Sequence, residues 1–241
     1  MQLYVELNAM DSIKLPIHYN YLVQSMIYRN MDKEFAEFLH NKGYEVNKRK
    51  FKLFTFSRLF GKYRIMESEI IFTPPVSLVF SSPFKEFCQY LLNGLLPKDY
   101  IRLGKNEVYV EKVSLGFQEA KDEIRIRLLS PVVAYSTYLK PEGGKYTCYF
   151  QPGEQEFNRL VEENLRKKYK AFYNLEPPVG DIHIKCLKSP RLHLIKYKNF
   201  VIKGYSGQLL LKGPQPLLQM ALDAGLGSKN SMGFGCGELI E

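Results

Sequence analysis

The sequence predicts an α+β protein built from two tandem ferredoxin-like domains, each with the element order βαββαβ. Three observations support this prediction. The 241 residues suffice for two domains of about 120 residues, each able to bury a core. Apolar residues alternate in strand-like segments and recur at helical spacing between them. The order of these elements in the first half returns in the second half, without visible sequence identity.

Periodicity and capping residues mark the first strand and the helices that follow it. Residues 2–8 alternate apolar and polar side chains and are predicted to form a half-buried strand. Pro16 suits the start of a helix, whose helical spacing continues to Tyr28. Asp32 is expected to cap a second helical run, which Gly43 can end.

The remainder of the first half combines strands with one amphipathic helix. A basic connection over residues 44–50 leads into a segment rich in strand formers. Pro74 and Pro75 interrupt a later strand, which is therefore predicted to lie at a sheet edge or to bend. The predicted elements are, in order, strands over 51–57, 64–66 and 70–80, a helix over 82–96 and a strand over 106–115.

The second half repeats the order of the first. The boundary is expected within residues 116–122, which divides the chain into an N-terminal domain, 1–118, and a C-terminal domain, 119–241. Pro214 is expected to open the second helix of the later domain. The predicted elements are a strand over 123–138, a helix over 154–171, strands over 181–188 and 199–211, a helix over 214–224 and a strand over 232–240.

The charge balance favours a polyanionic partner. Lys and Arg number 34 against 25 Asp and Glu, which leaves a formal net charge of +9. Lysines and arginines that neutralise phosphates release condensed counterions, so nucleic acid is the first partner expected and an anionic membrane surface the second. A solvated basic surface is the alternative explanation. With 45% hydrophobic and 24% charged residues, the composition excludes intrinsic disorder and a coiled coil.

The cysteines and the N-terminus predict the compartment. The four cysteines form no CxxC pair and no compact disulfide framework, so they are expected to be small, buried or half-buried residues in a reducing compartment. The first residues lack the basic and apolar regions of a signal peptide. No later stretch approaches the roughly 20 apolar residues that span a bilayer. A cytoplasmic protein without a membrane partner is expected.

A glycine-rich segment, residues 225–237, is the most informative local feature. Its five glycines can expose backbone N–H groups that cradle phosphates, with Lys229 adding a cation. Tight turns that need positive φ are the alternative explanation. The segment is not a Rossmann fingerprint, because too few residues follow Gly235 for a crossover helix, and it contains no Walker A motif.

This glycine-rich segment, of the form G-x-G-(x5)-G-F-G, resembles the loop of repeat-associated CRISPR RNA-binding proteins. Four further segments resemble the CRISPR-associated (Cas) endoribonuclease of the sixth Cas family, which cuts precursor CRISPR RNA within its repeats. The resemblance covers nearly the whole chain in the family's order. These segments are 25–30 (SMIYRN), 38–40 (FLH), 51–57 (FKLFTFS) and 93–96 (NGLL).

The resemblance implies RNA and protein partners for this chain and no cofactor. It implies two RRM-like domains with RNA bound across and between them, and CRISPR repeat RNA, both precursor and mature guide, as the partner. Subunits of a CRISPR effector complex and a second copy of the chain are further expected partners. No cofactor is expected, and the four histidines show no HExxH or other zinc spacing.

The resemblance also implies a catalytic trio of Tyr28 on the first helix, His40 near the end of the next and Lys52 on the following strand. Metal-independent cleavage by the 2′-hydroxyl needs a base, an acid for the departing 5′-oxygen and a cation for the phosphoryl oxygens. It leaves a 2′,3′-cyclic phosphate and a 5′-hydroxyl. Whether His40 or Tyr28 is the base stays open, and Lys48 or Lys50 is an alternative to Lys52 as the cation.

Tyr28 and His40 also have ordinary structural explanations. A helical tyrosine is typical of a core rim, and a histidine at a helix C-terminus is typical of a dipole-stabilised surface group. A catalytically inactive RNA-binding or scaffolding protein of the same fold is therefore the second hypothesis.

The expected RNA-binding residues lie in the basic connection and in the glycine-rich segment. They are Lys48, Arg49, Lys50, Gly225, Gly227, Lys229, Asn230, Gly233, Phe234 and Gly235.

Overall fold

Residues 1–240, which the computed structural model describes, form two main antiparallel sheets, one in each half of the chain, and three separate hairpins. The first half contains, in order, β1 Gln2–Asn8, β2 Ile13–Pro16, α1 Asn20–Arg29, α2 Lys33–Glu37, a π-helical turn Phe38–Lys42, β3 Tyr44–Val46, β4 Arg49–Phe51, β5 Thr55–Phe56, β6 Phe60–Met66, β7 Glu69–Ser81, α3 Lys85–Leu95, β8 Ile101–Leu103 and β9 Asn106–Gly116. The second half contains β10 Glu123–Leu128, β11 Ala134–Leu139, β12 Lys145–Phe150, α4 Gln155–Tyr173, β13 His183–Cys186, β14 Arg191–Tyr197, β15 Phe200–Ser206, β16 Gln208–Lys212, α5 Gln215–Ala224, a 3₁₀ turn Asn230–Met232 and β17 Gly237–Leu239.

Both sheets have the strand order of a split βαβ fold. In the first half β9, β1 and β7 are neighbours, and β5 and β6 pair with the far side of β7. In the second half the order is β17, β10, β16, β13. Numbered within each half, both sheets therefore run 4-1-3-2, with one helical segment after the first strand and one after the third. The predicted tandem ferredoxin-like fold is confirmed.

The double proline lies in a central strand, so an edge position for this segment is wrong. β7 pairs with β1 over residues 76–81 and with β2 over residues 69–72, which leaves Pro74 and Pro75 outside both ladders. On the other side, the register of β6 shifts close to Phe60, opposite the prolines. The prolines lack N–H groups, and the sheet accommodates them by interrupting both neighbouring ladders at the same level.

Several predicted strands are divided in the structure. Lys52 lies between β4 and β5, because the chain turns at Leu53 with φ +51°, so a single strand over 51–57 is wrong. The predicted strand over 123–138 is two strands separated at Pro131, and the one over 199–211 is also two. The extra strands belong to the hairpins β11–β12 and β14–β15, which are inserted into the repeat.

Two hydrophobic cores fill the two halves, and direct contacts join them. Leu53 of the first half is buried in the second core. The side-chain amide of Gln2 donates to the Gly237 carbonyl at 2.9 Å, and the Ser81 hydroxyl donates to the Leu222 carbonyl at 2.9 Å. The proposed division of the chain at residues 118 and 119 falls in the connection between β9 and β10.

The cysteines occupy the environments expected of them. Cys88 and Cys236 are buried, Cys148 and Cys186 are half-buried, and all four are free. Within residues 1–240, no helix is both long enough and apolar enough to cross a membrane.

A close helix contact at Gly94 yields a stability prediction. A Cβ atom at Gly94 of α3 would lie 1.7 Å from the carbonyl oxygen of Asn30, at the end of α1. Gly94→Ala should lower the free energy of unfolding by at least about 2 kcal/mol, although alanine favours helix more than glycine does. Urea denaturation measures this change. Gly237→Ala, where the nearest contact would be an ordinary 3.5 Å, is the control, and equal midpoints for the two variants would contradict the prediction.

Candidate active site and nucleic-acid interface

The three side chains of the expected catalytic trio converge at the C-terminal end of α1. Tyr28 lies in the last turn of α1, His40 in the π-helical turn, and Lys52 directly after β4. The rings of Tyr28 and His40 meet edge to face, with centroids 5.9 Å apart and an interplanar angle of 85°. The Lys52 ammonium donates a hydrogen bond to the His40 carbonyl oxygen at 2.6 Å. Residues far apart in the sequence thus share one small surface.

The chain between His40 and Lys52 folds back on itself through a glycine turn. The Asp32 carboxylate accepts from the Phe35 N–H at 2.9 Å and starts α2, as predicted. Gly43 ends the helical run with φ +64°, and a Cβ atom there would lie 2.5 Å from the Phe51 carbonyl oxygen. Only glycine fits this approach, which lets the β3–β4 hairpin return Lys52 to His40.

The other candidate cations lie on the same hairpin. The Lys50 ammonium donates to the Asn41 carbonyl oxygen at 3.1 Å, so Lys50 and Lys52 hold adjacent carbonyls at the end of the π-helical turn. Lys48 and Arg49 are exposed at the hairpin turn. Burial lowers the pKa of Lys52 below its usual value, and the neighbouring Lys50 lowers it further.

Tyr28 is largely buried and His40 is exposed, and this difference affects how each could transfer a proton. Burial, with a smaller contribution from Tyr197, raises the pKa of Tyr28 to about 12, so its phenol keeps its proton at neutral pH. His40 is exposed, and its Nδ1 lies 2.9 Å from the Asn41 side-chain oxygen. In the tautomer that donates from Nδ1 to Asn41, Nε2 carries a free lone pair. No role for Asn41 is predicted from the sequence, in which its position beside His40 is the only indication of this contact.

The glycine-rich segment is a closed loop whose glycines lie inside it. Gly225, Gly227, Gly233 and Gly235 are buried, with φ values of +82°, +66°, +84° and +72°. A Cβ atom at Gly235 would lie 1.9 Å from the Leu226 carbonyl oxygen. The Gly233 and Gly235 N–H groups donate to other backbone carbonyls, so they do not point to solvent. These glycines shape the loop.

Two predicted RNA-binding side chains of this loop are also internal. Asn230 is buried, and its amide donates to the carbonyls of Leu226 and Phe234, at 3.1 and 3.0 Å. The Phe234 ring is fully buried. The outer surface of the loop is instead formed by Ser228, Lys229 and Ser231, which are partly exposed. Among the described residues, the N–H groups of 229–231 have no hydrogen-bond acceptor.

Side chains from both halves of the chain fix this loop. On α1, Asn20 donates to the Met232 carbonyl at 2.9 Å and Gln24 to the Ser231 carbonyl at 2.6 Å. Asn20 and Gln24 are spaced four residues apart, and Tyr28 follows at the same spacing, so all three lie near one face of α1. The loop therefore packs beside the expected catalytic trio. Helical spacing relates these three residues in the sequence, but nothing in it indicates the loop as their partner.

Lys168 holds the loop from the opposite side. This lysine of α4 is 2% exposed, and its ammonium donates to the carbonyls of Gly225 at 2.5 Å and Gly227 at 3.0 Å. Burial lowers its pKa to about 7. The sequence shows Lys168 only as one member of a basic run on a helix, where a solvated face is the ordinary expectation.

A cleft of about 260 Å³ separates the loop from the β3–β4 hairpin. Lys50 and Lys52 line one side of it, and Lys229 lines the other. The Lys229 ammonium lies 4.8 Å from the centre of the Tyr135 ring. With Arg49 and the buried Lys168, the lining holds five cations against one acidic residue, Glu163, an arrangement suited to a polyanionic strand. Among residues 1–240, no group of three or more His, Cys, Asp or Glu side chains is arranged to hold a metal ion.

Comparison with known proteins covers nearly the whole chain. Residues 14–114 match the family model described as CRISPR-associated protein Cas6, N-terminal, and residues 109–239 match CRISPR associated protein Cas6, C-terminal. The CRISPR-associated endoribonuclease Cas6 1 of Methanocaldococcus jannaschii is 32% identical over 242 residues, which covers 98% of this chain and 91% of the relative.

Solved structures show the same fold. A structure described as CRISPR associated protein Cas6 aligns with a TM-score of 0.82 and 28% identity, over 100% of this chain and 99% of the other. A Cas6-related protein from Pyrococcus furiosus aligns with a TM-score of 0.87 and 22% identity, over 100% and 98% of the two chains. The resemblance found in the sequence is confirmed, and the chain belongs to the Cas6 family of CRISPR-associated proteins.

Proposed function

We propose that this chain is a metal-independent endoribonuclease that cuts precursor CRISPR RNA within its repeats and so generates guide RNAs. The observation that carries the proposal is the convergence of Tyr28, His40 and Lys52 at the end of α1. The relative that is 32% identical is named an endoribonuclease. The three groups supply an acid, a base and a cation, which are the functions that cleavage by the 2′-hydroxyl needs.

In the proposed reaction one bond to phosphorus forms and one breaks. The 2′-oxygen attacks the adjacent phosphorus, the bond from phosphorus to the 5′-oxygen breaks, and the products carry a 2′,3′-cyclic phosphate and a 5′-hydroxyl. His40 takes the proton of the 2′-hydroxyl at Nε2, since Nδ1 faces Asn41. Tyr28 gives its proton to the departing 5′-oxygen, since its phenol is protonated at neutral pH. Lys52 stabilises the negative charge on the phosphoryl oxygens.

We infer that the RNA backbone follows the lysine-lined cleft between the hairpin and the glycine-rich loop. Lys48, Arg49 and Lys50 offer cations on the hairpin, and Lys229 offers one on the loop. The N–H groups at 229–231 are further donors for a phosphate. The loop glycines contribute to binding indirectly, because they alone permit the conformation that presents this surface.

We also propose that the chain acts in the cytoplasm, associates with subunits of a CRISPR effector complex and forms a dimer with a second copy. Its four free cysteines are compatible with a reducing compartment. Light scattering with and without repeat RNA tests the dimer.

The products of cleavage test the proposed reaction. With the cognate repeat RNA and excess EDTA, the protein should cleave and leave a 2′,3′-cyclic phosphate and a 5′-hydroxyl, because the attacking group belongs to the RNA itself. End-group analysis identifies both ends. An RNA with a 2′-deoxy nucleotide at the scissile position should bind with nearly unchanged affinity and remain uncut. Strict dependence on Mg²⁺ would contradict the mechanism, and binding without any cleavage would favour the inactive RNA-binding alternative.

Substitutions in the proposed catalytic trio test its role in cleavage. His40→Ala should reduce the single-turnover rate by about 10²-fold or more, the usual effect of losing a general acid or base, while repeat binding changes little. Lys52→Ala and Tyr28→Phe should also slow cleavage, the second because it removes the proton donor. His183→Ala, which removes an exposed histidine from β13, is the control and should retain full activity. Full activity in the His40 and Lys52 variants would remove both residues from the mechanism.

The salt dependence of binding tests the role of Lys229. Lys229→Ala should weaken binding to all RNA sequences alike and make the slope of log K against log[salt] shallower by about 0.7, the increment for one phosphate contact with a single strand. Affinity measured at several salt concentrations gives this slope. Lys105→Ala removes an equal charge from the β8–β9 turn and should leave the slope unchanged. An unchanged slope for the Lys229 variant would mean that the RNA backbone does not contact Lys229.

A further inference from the structure

Lys168 of α4 is a buried lysine without an acidic partner. It lines the cleft between the glycine-rich loop and the β3–β4 hairpin, although only 2% of its surface is exposed. Among residues 1–240 it forms no ion pair. An unpaired charge in such a place costs free energy, so burial favours the neutral amine of Lys168 over its ammonium form.

The hydrogen bonds of Lys168 suit a neutral amine as well as an ammonium. Its Nζ donates to two acceptors, the carbonyls of Gly225 and Gly227, and a neutral amine has two N–H groups for them. An ammonium has a third N–H group, which receives no acceptor from the described part of the chain. Protonation therefore gives Lys168 an unsatisfied donor as well as an uncompensated charge.

Asn164 offers an unused acceptor close to this donor. It is 7% exposed, precedes Lys168 by one turn of α4 and lines the same cleft. Its buried side-chain oxygen accepts no hydrogen bond from any residue in the range 1–240. Side chains four residues apart on a helix are neighbours, so the third N–H group of a charged Lys168 and the free oxygen of Asn164 are complementary.

The charged groups that face Lys168 are mostly cations. Glu163, the acidic residue of the cleft lining, is ion-paired with Arg159 and Lys167. On α5, which also packs against α4, the charged residue is Asp223, and it is ion-paired with the N-terminal amino group. Glu45 of β3 is exposed outside the cleft lining. The ionisable groups that share the cleft with Lys168 are Arg49, Lys50, Lys52, Tyr135, Glu163 and Lys229.

A phosphate in this cleft changes the balance between the two forms of Lys168. Negative charge close to a buried amine favours its ammonium form, and the effect is strong where water is excluded. Burial holds the pKa of Lys168 at about 7, so a bound polyanion raises this pKa from a value at which the neutral and charged forms coexist near neutral pH. Binding of a polyanion and binding of a proton then favour each other.

We propose that Lys168 couples RNA binding to proton uptake: its amine takes a proton from the buffer when RNA enters the cleft, and the new N–H group donates to the Asn164 side-chain oxygen. The bonds to the Gly225 and Gly227 carbonyls are kept. Lys168 is thus a positioning residue, because it acts on RNA through the glycine-rich loop and through its charge, without touching the reacting atoms. This proposal rests on the proposed function, since RNA is taken as the ligand of the cleft.

Calorimetry in several buffers tests the coupling. Binding of repeat RNA with a 2′-deoxy scissile nucleotide is measured in buffers of different ionisation enthalpy, and the dependence of the observed enthalpy on the buffer counts the protons taken up. The parent protein and all variants carry His40→Ala, so that the His40 imidazole contributes no proton.

Three variants and one control are compared with the parent. Lys168→Gln has two amide N–H groups and does not titrate, Lys168→Arg stays charged, and Asn164→Leu removes the third acceptor. The control is Lys170→Gln, which removes a partly exposed lysine of the same helix that pairs with Glu176 outside the cleft lining.

The parent should take up roughly half a proton per complex at pH 7.5, and it should bind RNA about three- to tenfold more tightly at pH 7 than at pH 8.5. Lys170→Gln should behave in the same way, and Asn164→Leu should take up less. Both Lys168 variants should take up less than about 0.2 proton. As the pH rises, the affinity of the parent should fall toward that of Lys168→Gln and away from that of Lys168→Arg.

Other outcomes would overturn the coupling. Equal proton uptake in the parent and in both Lys168 variants would assign the titrating group to another residue, and an equal loss of affinity at every pH would give Lys168 a purely structural role. Unchanged uptake in Asn164→Leu would remove Asn164 from the coupling.

Two further controls separate folding and function from the coupling. If melting curves show that Lys168→Gln is unfolded, Lys168→Arg and the parent still decide, because a permanently charged side chain takes up no proton. A wild-type protein that neither binds nor cuts repeat RNA would refute the proposed function, whereas RNA binding without proton uptake would refute only the coupling.

Discussion

The arrangement of the protein depends on how the carbonyl groups of the glycine-rich loop are bound. Asn20 and Gln24 of α1 donate to this loop from the first half, and Lys168 of α4 donates to it from the second. The loop thus joins the two halves through hydrogen bonds to its backbone carbonyls. These bonds do not depend on the identity of the loop side chains, but they require one backbone conformation. That shape needs left-handed backbone at Gly225, Gly227, Gly233 and Gly235.

The same contact sets the relation between the loop and the proposed catalytic trio. The α1 face that holds the loop also carries Tyr28, so the loop surface and the phenol are positioned by one rigid helix. A second rigid connection, the turn at Gly43, brings Lys52 back to the carbonyl of His40. Groups placed by a helix and a tight hairpin lose little freedom when RNA binds, which favours their action on a single phosphate.

Local sequence patterns predicted most of the elements, and long-range contacts not at all. The start of the first helix is an exception, because Pro16 ends β2 and α1 begins at Asn20. Alternation gave β1 its bounds, and Asp32 and Gly43 start and end the helical run where capping rules expect them. Strand formers continue on both sides of Pro131, so alternation alone could not divide that segment into β10 and β11. The bond from Asn20 to the Met232 carbonyl joins residues 212 positions apart, and no spacing rule anticipates it. Glycine content, likewise, does not distinguish a loop that exposes its N–H groups from one that buries them.

A count of charges does not locate them, and the structure separates paired from unpaired cations. On α4, Arg159, Arg166 and Lys167 each pair with a glutamate of the same helix, so this basic-looking face is largely neutralised. Such exposed pairs add little stability, but they cancel the local field. The lysines around the glycine-rich loop have no such partners among the described residues. Their charges therefore remain available to a polyanion, whereas those of the three cations on α4 do not.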